Sequence, residues 1–175
     1  MGYDPCRPVT YVVNPAGAPD GYQDLVADSV AAISAATGLR FDDEGTTDAR
    51  PFAATGSPTF AHSPVVIGWV TPEEEPRLAG DIAGVGGSVA VERRPHHLTF
   101  VTGAIALDRE VFTDLAARDA RGSARAILMH ELGHVVGLAH VKDPGELMFS
   151  DNTGQAALGP GDREGLARLG AVECG

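Results

Sequence analysis

The chain has 175 residues, 43% of them apolar and 21% charged, enough for one soluble globular domain with a sizeable core and too few for a second. Lys+Arg 13 against Asp+Glu 24 leaves a formal net charge of −11, a poor balance for neutralising nucleic-acid phosphates or anionic lipid headgroups, so neither nucleic acid nor membrane is expected as a partner. The longest stretch without a charged residue, Pro51 to Pro72, is broken by prolines and glycines and cannot supply an apolar spanning helix.

The opening MGYDPCRPVT lacks the basic start and apolar run of a secretory signal. Cys6 and Cys174 stand near opposite ends, and a bridge between them would close almost the whole chain, a constraint worth roughly 4–5 kcal/mol in the loop-entropy picture. Two free thiols, or Cys6 as a metal ligand, are the alternatives. A disulfide implies an oxidising compartment, hence a secreted protein whose signal has been removed.

In chain order, Val9 to Val13 alternates as a strand and Asn14-Pro15 stops it. Asp20 and Gln23 have capping-box spacing, and Tyr22, Val26, Val30 and Ile33 recur at helical intervals up to Gly38. Leu39 to Phe41 reads as a short strand, placed parallel to the first by a right-handed helical crossover. The acidic cluster Asp42, Asp43, Glu44 then reads as a solvated turn, with a calcium site as the sharper alternative. Glu73, Glu74 and Glu75 read the same way.

Val65 to Val70 is a buried strand by its β-branched run. Gly84, Gly86 and Gly87 precede Ser88 to Val91, whose small residues suit an exposed edge. Leu98 to Leu107 is a further strand ending at Asp108. A helix is expected after Asp119, with Ser123 as N-cap and Gly137 as its end, and a last one from about Asp162 to Leu169.

The chemistry lies in His130-Glu131-Leu132-Gly133-His134-Val135-Val136-Gly137-Leu138-Ala139-His140. On a helix, His130 and His134 project from one face and can share one metal ion. Glu131 sits about 100° round from His130, near enough to act on a water at that metal without being a ligand. A continued helix would carry His140 roughly 9 Å up the axis from His134, so it reaches the same ion only if the helix breaks. Gly137 is where it can.

This segment resembles the zinc signature of the metzincin endopeptidases at every fixed position. Met148, in Glu146-Leu147-Met148-Phe149, falls where that clan has its methionine turn. The spacing and the closing Gly161-Asp162-Arg163-Glu164-Gly165-Leu166-Ala167-Arg168-Leu169-Gly170 look most like matrixins, in particular small bacterial ones. The resemblance implies an α+β, metzincin-like fold. It has a twisted mixed sheet of about five strands with an antiparallel edge strand, two long helices, then a Met-turn and a C-terminal helix. Residues 1–175 then form a single catalytic domain, with sheet and active-site helix in 1–137 and third ligand, Met-turn and final helix in 138–175.

It further implies a zinc endopeptidase that hydrolyses internal bonds of protein or peptide substrates as a monomer. One Zn2+ is held by His130, His134 and His140, Glu131 is general base toward water activated by the metal, and calcium is a candidate additional ion. Met148 supports the site from below and Asp162 braces the Met-turn. Gly87, Ser88, Val89 and Ala90 are the edge strand on which an extended substrate is laid. The chain after Met148, roughly Phe149 to Leu158, walls the primed-side pocket. The second, structural zinc site of animal matrixins has no counterpart, and His62, His96 and His97 read as surface or loop residues. The alternative function is a zinc-binding domain that is catalytically silent or autoinhibited by Cys6.

Overall fold

Strand β1 (Val9–Asn14) opens a five-stranded sheet of order β2-β1-β3-β5-β4. The computed structural model describes residues 1–53, 63–95, 97–151 and 154–174, and of Arg93, Arg94 and His97 only the backbone. His62 and His96 lie outside the described residues. Helix α1 (Tyr22–Thr37) crosses from β1 to β2 (Phe41–Thr46), which pairs parallel to β1, as the crossover rule requires. Strand β3 (Val65–Val70) pairs parallel to β1 and to β5 (His97–Asp108), while β4 (Gly84–Arg94) runs antiparallel to β5 as the edge. The expected architecture, a mixed sheet with one antiparallel edge strand, is the one observed.

Alternation along the strands sorts the two faces. Ile67, Trp69, Ile105 and Leu107 are fully buried beneath the helices, together with Ile33 of α1 and Leu128 and Leu132 of α3 (Arg121–Val136). Residues between them are small, and Val70 and Ala106 meet Leu78 from a 3₁₀ turn (Pro76–Leu78) on the opposite face.

Three local expectations change. The acidic residues Asp42, Asp43 and Glu44 are not a turn but part of β2, where β1 satisfies the backbone and the side chains stay in water. Helix α1 starts one residue later than the capping box implied, from Gly21 in a left-handed conformation (φ 74°) with no side-chain cap. Ser123 lies inside α3, which is capped at Ala120, rather than at its start.

A helix that the periodicity did not reveal, α2 (Arg109–Ala117), follows β5 directly. The Asp108 carboxylate accepts a hydrogen bond from Val111 N at 2.9 Å, and Phe112 is wholly buried against Trp69. Helix α4 (Pro160–Gly170) closes the chain, with proline in its first turn. The termini are joined by a disulfide, Cys6–Cys174, with Cα atoms 5.6 Å apart. No helix among the described residues is long and apolar enough to cross a membrane.

Candidate metal centre

Helix α3 presents His130 and His134 on one face. It ends at Gly137, whose φ of 118° turns the chain back while Gly137 N and Leu138 N both donate to the Gly133 carbonyl. The break brings His140 round to the same point. Val141 N then donates to Met148 O at 2.9 Å, tying the segment that carries His140 to the turn beneath the site.

The three Nε2 atoms form a triangle with every side 3.1 Å. His130 Nδ1 lies 2.7 Å from the Leu147 carbonyl and His134 Nδ1 lies 2.9 Å from the Leu138 carbonyl. A carbonyl oxygen only accepts, so both Nδ1 atoms carry the proton and both Nε2 atoms present bare lone pairs to each other. Lone pairs converging at that distance repel unless a cation lies between them. Bond lengths of about 2.0–2.1 Å from a tetrahedral zinc ion separate its nitrogen ligands by roughly 3.3 Å, close to the observed triangle. The donor set therefore fits zinc, with one position left for water or substrate. Burial lowers the pKa of His130 and takes that of His134 down to about 4, keeping the ring neutral as a ligand must be.

Glu131 is 6% exposed and is packed beneath β4. Burial pushes its carboxyl up to about 7, against the opposing effect of a hydrogen bond from the Gly86 amide. Glycine is needed there, because a Cβ on Gly86 would fall on the Glu131 carbonyl oxygen and one on Gly84 would come within 2.8 Å of Glu131 Cγ. Met148 is 1% exposed, and its sulfur lies 2.6 Å from where a Gly133 Cβ would stand, so it packs directly under α3.

Asp162 accepts hydrogen bonds from Leu147 N (2.6 Å), Met148 N (3.3 Å) and Gly159 N (2.9 Å). Glu146 reciprocates, accepting from Gly161 N and Asp162 N at the start of α4. The clasp holds the Leu147 carbonyl against His130. Glu146 is the residue here that sequence reasoning missed; its position two residues before the methionine is the available signal.

A cleft of about 550 Å³ runs past the histidines. Ile82 to Gly86 and Ile127 are among the residues that line it. Phe149 and Gln155, from the stretch after Met148, line it as well. Of the four residues expected to lie along the substrate, Gly87, Ser88, Val89 and Ala90 all belong to edge strand β4 but run on beyond the cleft wall. Ser88 in addition turns its side chain toward α3. Cys6 is bonded to Cys174 and cannot supply a thiolate to the metal, so the autoinhibited alternative through Cys6 does not hold in this state. The other cluster of metal-type side chains among the described residues, Asp4 with Cys6 and Cys174, is this disulfide and its neighbour.

An extended zinc signature on a broken helix over a methionine turn, beside an antiparallel edge strand, defines a metzincin-type zinc metalloprotease fold. Residues 20–169 match the family model of the matrixins, and the chain belongs to that family. Among curated proteins none matches the chain.

Proposed function

We propose that the protein is a zinc-dependent endopeptidase cleaving internal bonds of protein or peptide substrates. The observation that carries this reading is the convergence of three Nε2 atoms beside a buried carboxylate that is not one of the ligands. Zinc binding alone has no use for Glu131 in that place.

His130, His134 and His140 would hold the ion, which supplies Lewis acidity toward water and the scissile carbonyl. The Glu131 carboxylate takes a proton from the attacking water onto Oε and returns it to the nitrogen of the departing amine, ending as it began. The Gly86 amide fixes the direction of that carboxylate, and burial makes it a stronger base than an exposed carboxylate. The backbone of β4 can accept an extended peptide as an added strand. A secreted location is proposed with it, supported by the disulfide, together with a monomeric state.

The test is cleavage of a denatured, fluorescence-quenched protein by the purified chain, beside chelated, zinc-restored and Glu131→Ala samples. Activity lost on chelation, regained with zinc and absent in Glu131→Ala is expected. A folded, zinc-loaded protein that cleaves nothing would instead leave a silent zinc-binding domain.

A further inference from the structure

Tyr3 is 6% exposed, its ring tilted against that of Phe100 with centroids 5.4 Å apart, and its hydroxyl lies 2.8 Å from Ser88 Oγ on the edge strand. Ser88 Oγ lies 2.8 Å from the carbonyl oxygen of Val135, the residue after His134. That carbonyl belongs to the last turn of α3, where helical partners run out. Because it can only accept, the Ser88 hydroxyl must donate to it, and Ser88 is then left to accept from Tyr3. The result is a relay with one direction: Tyr3 O–H to Ser88 O–H to Val135 C=O.

Two further features belong to this relay. Gly103, paired with Ser88 across β4 and β5, makes room for it: a Cβ there would stand 2.6 Å from Ser88 Oγ and 3.2 Å from the Tyr3 oxygen. The segment bearing Tyr3 is held on both sides, by the bond from Phe100 N to Gly2 O at 2.9 Å and by the disulfide at Cys6. Gly86, two residues before Ser88 and on the same face of β4, covers Glu131.

We propose that Tyr3 and Ser88 are positioning residues of the cleft, fixing the edge strand over the end of the metal-bearing helix and so setting where Gly84 to Gly86 lie above Glu131. The inference rests on the endopeptidase reading for its kinetic consequence and on geometry alone for its structural one. The N-terminal segment, tethered by Cys6–Cys174, thereby becomes part of the substrate-binding apparatus without touching substrate.

The experiment compares wild type, Tyr3→Phe, Ser88→Ala and the double variant, each zinc-loaded, on an extended quenched peptide, and follows amide hydrogen exchange along β4 and the last turn of α3 in the same proteins. Ser88→Ala should raise KM about fivefold, the equivalent of one neutral hydrogen bond, with kcat changed less. Tyr3→Phe should do so by a smaller factor, and the double variant should match Ser88→Ala, since a broken relay cannot be broken twice. Exchange should quicken in β4 and the helix end in all three. Unchanged KM in variants that still cleave, additive effects in the double variant, or unchanged exchange overturns the proposal. A wild type that cleaves nothing refutes the endopeptidase reading alone, and exchange then decides whether the relay pins the strand.

Discussion

Gly86 and Gly87 are neighbours of one residue type with opposite tolerance. A side chain at Gly86 meets the backbone oxygen of Glu131, which cannot move aside, whereas nothing lies within 4 Å of a Cβ at Gly87. Gly86→Ala is therefore expected to lift β4 from α3, costing about 1–3 kcal/mol and lowering kcat/KM about 100-fold. Gly87→Ala should stay within about 0.5 kcal/mol of wild type. Urea midpoints and peptidase kinetics on the pair check this. Tyr3 supplies a second residue-scale test. Burial pushes its phenol from 10.0 up to about 12. Between those values the unfolded chain loses the proton first, so stability falls as pH rises, by about 2 kcal/mol from this group at pH 11.5. Stability curves at pH 9 and 11.5 should show that component in wild type and lack it in Tyr3→Phe.

The Met-turn and α4 behave as one element because their charged ends are exchanged: Asp162 binds the turn's amides and Glu146 binds the amides that open α4. The Leu147 amide is held by Asp162 while the Leu147 carbonyl holds His130, so damage to the clasp should reach the metal. Asp162→Asn loses part of a buried, charge-assisted set and is expected to destabilise the protein by about 2–3 kcal/mol and to weaken zinc binding about tenfold, read by competition with a chromophoric chelator. Elements differ in how far the chain announces them. The spacing of His130, His134, Gly137 and His140 is local arithmetic on one helix and the break that ends it, and the apolar stripe of α1 is equally local. Helix α2 escaped because nine residues offer few apolar positions and its cap, Asp108, also reads as a strand end. The place of Asp42 to Glu44 in a strand depends on pairing with β1, which composition does not encode. The relay joins residues separated by 85 and 47 positions, beyond any periodicity.

At the scale of the molecule, the disulfide ties together what the sheet and helices leave loose. Residues before β1 reach β5 through the bridge of Gly2 to Thr99 and the packing of Tyr3, and the chain after α4 ends beside them. A link across a sequence separation of 168 closes one long loop in the unfolded chain and, by lowering that chain's entropy, is expected to contribute roughly 4–5 kcal/mol. Against total stabilities of about 5–15 kcal/mol for such domains, that is a large share. The double variant Cys6→Ser/Cys174→Ser should therefore unfold at a lower urea concentration in calorimetrically matched buffers, by about that free energy if the loop-entropy account holds. The loss should be one of stability first, because the histidine triangle is built from α3, Gly137 and the clasp, none of which contains a cysteine. A variant that binds zinc as wild type does while unfolding earlier would place the disulfide in the molecule's endurance. A variant that also loses zinc affinity in its folded state would instead show that the disulfide-linked termini help to hold His134 in place.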